Sequence, residues 1–367
     1  MDDKMLYKIA LSIIPGIGGI LARNIVAYVG SVEGVFSESL KSLQKIPGIG
    51  EVNAHRIKDK DILVKAEKEL NFVAKHEIEV LFYTDKNFPR RLKTCVDAPI
   101  ILFTRGNLDL NEQRIVSIVG TRNATNYGKN ICDELICKFS ERNYKILIVS
   151  GLAYGIDIQA HKSALKYNLP TVGVVGHGLD KMYPSLHAET AKNMLKEGGL
   201  VTDFPSGTKI DPSNFVRRNR IIAGLADTTI VVESAVKGGA LITAEIASSY
   251  NRDVFAFPGR AGDPYSKGCN QLIRNSGANL IEGIDDLEFF MGWEKTSKKK
   301  AVQPSLFVEL TGDEERIANL LRENDELFID QISSELTLPV SRISAMLLSL
   351  EFKNVVLAMP GKMYKLK

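Results

Sequence analysis

Hydrophobic and polar positions along this chain follow two rhythms. In its middle, short runs that are apolar almost throughout recur with longer mixed segments between them. Ile115, Val116, Ile118 and Val119 form the first of these runs. An uninterrupted apolar run of that length suits a strand buried on both faces. Strands are predicted near 115–119, 146–149, 171–175, 200–203, 229–232 and 253–257, and the segments between them are long enough for crossover helices. The pattern predicts an α/β fold: a doubly wound, mostly parallel, Rossmann-like sheet. Its carboxyl-end loops gather Gly120–Arg122, Ser150-Gly151, Gly176–Gly178, Glu233 and Pro258-Gly259 on one rim, where open α/β sheets place their ligands.

At both ends the period becomes that of a helix. Residues 1–70 carry an internal repeat, Ile14-Pro15-Gly16-Ile17-Gly18 and Ile46-Pro47-Gly48-Ile49-Gly50, with helical apolar spacing on either side of each copy. Each Gly-x-Gly predicts a hairpin between two helices, whose bare backbone lets N–H groups approach a phosphate without reading a base. The pattern resembles the helix-hairpin-helix (SAM-like) motif, making Gly16, Gly18, Gly48 and Gly50 candidate phosphate contacts. Residues 71–110 are punctuated by Pro89 and Pro99 and introduce the sheet domain, 71–292. A lysine-rich connector over 293–304 reads as a linker. Within 305–367, helical spacing at 313–323, 328–336 and 341–352 precedes two short strands around Pro360-Gly361, the order of a winged helix.

The candidate chemistry begins after the first strand, in RIVSIVGTRNATNYGK, residues 114–129. A strand, a tight loop and a helix start predict N–H groups of Thr121 to Asn123 pointing outward at a helix N-terminus, with Arg122 adding a forked, permanent charge. No GxGxxG follows this strand and no GxxxxGK[ST] lies near it, which removes the usual signatures of dinucleotide binding and P-loop hydrolysis. Further on, Phe215 stands beside Arg217, Arg218 and Arg220 on a helix starting near Asp211 or Pro212, the mix expected of a single-strand site. Asp157 and His161 are spaced i, i+4 and read as a local hydrogen-bonded pair, and His177 is a rim candidate for DNA contact.

Charge adds only modest support. The net charge is +3 over 367 residues; residues 1–70 hold ten Lys/Arg against nine Asp/Glu, and 305–367 hold seven against ten. The acidic balance of the last segment favours a protein partner over groove reading. Cys95, Cys132, Cys137 and Cys269 show no CxxC and no metal spacing, which fits thiols in a reducing cytoplasm. No metal or cofactor is expected, and no apolar run approaches a membrane span.

In order, GTRNATNYG, SGLAYGIDIQAHKSAL, VGVVGHGLDKMYP, FVRRNRIIAGLADTTIVVESAVKGGALITAEIA and RDVFAFPG resemble the motifs of the DprA/Smf family, over roughly 80–290. The resemblance implies a dimeric, non-enzymatic protein that binds incoming single-stranded DNA, shields it and helps load the RecA recombinase in natural transformation. It implies a phosphate contact for Arg122, with Gly120 and Thr121 beside it, and DNA contacts at Arg217, Arg218, Asn219 and Arg220. Ser150 and Gly151 are expected to shape the same pocket rather than react. A rival reading comes from Lys237–Glu245, KGGALITAE, which resembles the PGGxGTxxE signature of nucleotide phosphoribohydrolases. It departs from that signature at Lys237, Leu241 and Ile242, so Glu245 is expected to be structural or helix-capping.

Overall fold

In a computed structural model of the chain, residues 3–293, 310–324, 326–353, 355–359 and 362–366 are described. They form two compact units, Met1–Thr296 and Ser297–Lys367.

The first unit opens with six helices: α1 (Asp3–Ser12), α2 (Gly19–Val29), α3 (Val32–Ser37), α4 (Leu40–Leu43), α5 (Glu51–Ile57) and α6 (Lys60–Lys75). The two copies of the repeat fold alike. Gly16 and Gly48 take positive φ, +80° and +85°, to turn the chain, while Gly18 and Gly50 sit as extended N-caps of α2 and α5. Residues 71–110, read from sequence as an entry segment punctuated by prolines, contain two strands, β1 (Glu79–Phe82) and β2 (Ile101–Asn107), with a short helix α7 (Arg90–Lys93) between them. Phe82 and Phe103 carry one side of this ribbon into the core of the helical layer, beside Ile9, Ile25 and Ile57.

The sheet then runs β3 (Arg114–Val119), α8 (Asn126–Glu141), β4 (Ile146–Ser150), α9 (Ile156–Lys166), β5 (Thr171–Val174), α10 (Ala188–Met194), β6 (Gly198–Thr202), α11 (Pro212–Leu225), β7 (Thr228–Val231), α12 (Gly239–Ser249), β8 (Asp253–Ala256), α13 (Lys267–Arg274), β9 (Asn279–Leu280) and α14 (Ile284–Met291). Its nine strands lie in the order β1-β2-β6-β5-β4-β3-β7-β8-β9. The pairs from β6 through β9 are parallel, whereas β1–β2 and β2–β6 are antiparallel. Alternation along β3 explains the continuous apolar run: Ile115 and Val119 enter the core under α11 and α12, and Val116 and Ile118 the core under α8 and α9. The chain leaves β3 toward β4 on one side and returns to pair β7 with β3 on the other, so a crevice opens between the loops after β3 and β7. The predicted linker lies, beyond Trp293, outside the described residues; Trp293 itself packs edge-on against Tyr144.

The second unit consists of α15 (Gly312–Glu323), β10 (Leu327–Phe328), α16 (Ile329–Leu336), α17 (Val340–Phe352), β11 (Val356–Met359) and β12 (Met363–Leu366). Its strands pair in the order β10-β12-β11 over a core of Ile317, Ile332, Ile343 and Leu347, a winged helix; the predicted turn at 360–361 lies outside the described residues.

Candidate nucleic-acid interface

Gly120 ends β3 in a space where any side chain would collide: a Cβ there would lie 2.4 Å from Ile156 and 3.0 Å from the Glu233 carbonyl oxygen. The loop that follows is fastened to β7. Thr121 N–H donates to Glu233 O at 2.7 Å, and Asn123 N–H donates to Thr121 Oγ1 at 3.2 Å. The buried Glu233 carboxylate then accepts from Thr125 N–H at 2.9 Å and Thr125 Oγ1 at 2.7 Å, at the start of α8. This corrects the expectation of a backbone phosphate cradle there. The chain's own carboxylate occupies the favourable anion position at the α8 N-terminus. Arg122 is left exposed, with no hydrogen bond or ion pair among the described residues.

Across the groove from Arg122 stands another helix start. The N-cap of α12, Gly238, gives no side-chain cap, and no acidic residue lies in the first turn. Gly238 N–H donates to Ala235 O and Leu241 N–H to Gly238 O, which leaves the N–H groups of Gly239 and Ala240 to a ligand. Exposed Lys237 precedes it. Arg122, Asn123, Tyr183, Phe215, Asn219 and Lys237 are among the residues lining this groove of about 540 Å³. Tyr183 and Phe215 stack with centroids 5.6 Å apart and planes 29° from parallel. Tyr183, Lys237 and Gly238–Gly239 were not singled out as DNA contacts from sequence; the available signal was a Gly-Gly pair entering an apolar helix without a Ser, Thr, Asp or Asn cap.

The arginines of α11 do not act as one group. Asp211 caps this helix by accepting from Ser213 N–H, and Pro212 opens it, so successive residues turn by about 100°. Arg218 points inward and is buried, its Nη1 donating to Gly151 O at 2.6 Å and also to Val174 O. Burial pushes its guanidinium down to about 10, with Asp157 opposing and Arg122 adding to the effect. It remains charged at neutral pH and lies at the groove floor, a source of positive field rather than an exposed phosphate grip. Arg217 and Arg220 lie on another face. Arg217 sits 4.8 Å over the Phe204 ring and 3.6 Å from Asp203, and Arg220 donates to Asp203 Oδ2 and Asp97 O. Arg122, Arg218 and Asn219 thus share a groove that Arg217 and Arg220 do not line.

Other expectations are corrected by burial. Asp157 and His161 do not pair. Asp157 is held by Arg218 and the N–H groups of Ala153 and Gly151 while burial pushes its carboxyl up, and His161 Nδ1 bonds Thr171 Oγ1 at 2.7 Å. Burial pushes His161 down to about 3, so it is neutral. His177 is fully buried and cannot touch DNA; its Nε2 accepts from Tyr183 N–H at 3.2 Å, holding the loop that presents Tyr183. Ser150 is buried and donates to Ile118 O at 2.6 Å, while Gly151 supplies the carbonyl that seats Arg218. Glu245 lies exposed in mid-α12, so it caps nothing, and it does not line the groove. Among the described residues no group of three or more His, Cys, Asp or Glu could hold a metal, and no helix is long and apolar enough to cross a membrane.

Comparison with known proteins places three matches along the chain. DNA recombination-mediator protein A matches residues 79–291, a SAM-like helix-hairpin-helix tandem residues 9–60, and a DprA winged helix domain residues 302–362. The Smf protein of Synechocystis sp. is 30% identical over 403 residues, covering 99% of each chain. That of Escherichia coli is 34% identical over 291 residues, covering 76% of this chain and 75% of its own. The solved structure of DNA processing protein A from Streptococcus pneumoniae aligns with a TM-score of 0.64 at 30% identity, over 78% of this chain and 97% of that one. The Helicobacter pylori protein, whose structure is described in terms of a single-stranded DNA binding mode, aligns with a TM-score of 0.53 at 26% identity, over 59% and 95%.

Proposed function

The chain belongs to the DprA/Smf family, and from that premise we propose that it binds single-stranded DNA in the groove between the 120–123 loop and the start of α12. Arg122 and Lys237 grip one phosphate while the leading N–H groups of α12 close on it, and the Tyr183–Phe215 stack receives a base. The observation that carries this reading is an unpaired, exposed Arg122 lining the same groove as an uncapped helix N-terminus and an aromatic pair. The single-stranded DNA binding mode described for the Helicobacter pylori relative supports it.

The wider role is that of a mediator: a homodimer in the cytoplasm that shields incoming strands and helps load the RecA recombinase during transformation. Four unpaired cysteines, three of them buried and Cys137 half-buried, support a reducing compartment. The winged helix serves a protein partner. Its third helix offers little to a phosphate, because Arg342 is paired with Asp313 and Lys353 with Glu314, each at 2.7 Å. The phosphoribohydrolase alternative finds no support in Glu245, which is exposed and does not line the groove.

The test is fluorescence anisotropy with matched single- and double-stranded oligonucleotides across a salt series. A steep salt slope with single-strand preference is expected; duplex preference, or no binding at low salt, would overturn the assignment.

A further inference from the structure

The loop that carries Arg122 stands between two grooves. One is the groove already described, which opens toward α11 and α12. The other lies on the opposite face of the sheet, where α8 and α9 cover one core and, as crossovers between parallel strands, run side by side in one direction. Both helices begin directly beneath the 120–123 loop. α8 starts three residues after Asn123, and at the start of α9 Ile156 N–H donates to Thr121 O at 3.2 Å. Gly155 approaches the loop so closely that a Cβ there would lie 2.0 Å from Thr121 O and 2.7 Å from Arg122 O. The space between α8 and α9, about 400 Å³, is lined among others by Asn126, Lys129, Asn130, Gln159, Lys162 and Lys166.

The positive charge of this second groove is not balanced within the protein. Asp133, the one carboxylate lining it, is taken up by Ser163 Oγ at 2.7 Å, Lys166 Nζ at 2.9 Å and the Tyr167 hydroxyl at 2.8 Å. Lys129 and Lys162 are exposed and make no hydrogen bond or ion pair among the described residues. The acidic residue of α9, Asp157, is buried, and the exposed carboxylates of α8 turn elsewhere: Glu134 lines a separate pocket toward α14, and Glu141 pairs with Lys138. No apolar side chain lines the groove, so it offers a protein partner no anchor and a base nothing to stack on. It offers spaced ammonium groups and amides instead. Lys162 and Lys166 stand one turn apart, about 6 Å along the axis of α9, close to the step between successive phosphates of an extended strand.

We propose that the strand held in the Arg122 groove continues over the loop and runs down between α8 and α9, where Lys129 and Lys162 grip its phosphates. The proposal rests on the single-strand reading above and extends the footprint to the other face of the sheet. Contact through phosphates alone makes this half of the footprint indifferent to bases, unlike the half that meets the Tyr183–Phe215 stack.

The test compares the full chain with the double variant Lys129→Gln and Lys162→Gln. Both lysines are exposed on helices and without partners among the described residues, and Gln is about as good a helix former as Lys, so the fold is kept. The control is the double variant Lys145→Gln and Lys196→Gln, which removes two exposed charges just ahead of β4 and β6, at the opposite rim of the sheet. Anisotropy is measured with oligonucleotides of about 6 and about 20 nucleotides, lengths that bracket common single-strand site sizes. Loss of Lys129 and Lys162 should weaken the long strand by about tenfold at about 0.2 M salt and lower its salt slope by about 1.4, two phosphates' worth, with the short strand unchanged. The control should change neither. A long strand made abasic over one half should, in one of its two orientations, keep its affinity and its dependence on the two lysines. Wild type that binds neither strand overturns both readings. Wild type that responds to Arg122→Ala but not to loss of Lys129 and Lys162, or that loses as much in the control, overturns this one alone. A half-abasic strand that binds like the short one in both orientations does the same.

Discussion

Arg122→Ala isolates the groove from the fold, because the side chain is exposed and makes no hydrogen bond or ion pair among the described residues. Its removal leaves no buried partner behind, so the melting temperature should move by less than about 2 °C. Affinity should behave differently. A charge-assisted contact is worth roughly 1.5–3 kcal/mol, which corresponds to a loss of about ten- to a hundred-fold. Losing one phosphate contact should also lower the single-strand salt slope by about 0.7, so a fourfold rise in salt should shrink the wild type's advantage by about 2.6-fold. Arg218→Leu provides the contrast. It strips two carbonyls of their donor and leaves Asp157 buried without its counter-charge, a loss of about 3–5 kcal/mol in stability. Anisotropy titrations of both variants at several salt concentrations, with thermal melts alongside, make the comparison. An Arg122→Ala protein with wild-type affinity and slope would refute the grip assigned to this residue. One that melts early would refute the claim that it is free.

Lys237→Ala should weaken single-strand binding by about five- to tenfold and reduce the salt slope by about 0.7 in the same titration, since Lys237 lines the groove beside the uncapped start of α12. Glu245→Gln should leave affinity unchanged and wild type should release no base from nucleoside monophosphates; base release abolished by this change would restore the enzyme reading. In the winged helix, Glu314 accepts from Lys353, Ser349 and Thr311, which hold its carboxyl down to about 2 from an ordinary 4.5. A depressed folded value stabilises above the ordinary range and loses that contribution as pH falls from about 4.5 toward 2, here about 3 kcal/mol. Hydrogen exchange at α15 and α17 of the full chain should accelerate across that window, and Glu314→Gln should flatten the response.

The strands from β3 to β8 were legible because each is buried on both faces and therefore apolar at nearly every position. The ribbon of β1 and β2 was not. Pro89 and Pro99 interrupt the pattern around it, and its ladder partner β6 lies about a hundred residues downstream, where no local signal reaches. Arg122 could be found because its loop directly follows a strand. The α11 arginines could be found as a group but not sorted: neighbours on a helix diverge by about 100°, and only the position of β4 and β5 decides that Arg218 turns inward. The α8 N-terminus shows the limit most clearly. Its sequence reads as an anion seat, and the structure agrees that an anion belongs there, but the anion is Glu233, 108 residues away. A helix start capped by the chain's own carboxylate becomes an internal joint that holds the loop, and through the loop Arg122, in position. Glycine withholds the side-chain cap at Gly18, Gly50, Gly155, Gly238 and Gly283, but of these only Gly238 lines the groove that holds Arg122. Cap chemistry, more than net charge, therefore separates the start of α8 from that of α12, and it predicts that Gly239→Asp, where a Cβ meets nothing within 4 Å, weakens single-strand binding in the anisotropy titration by filling the anion position.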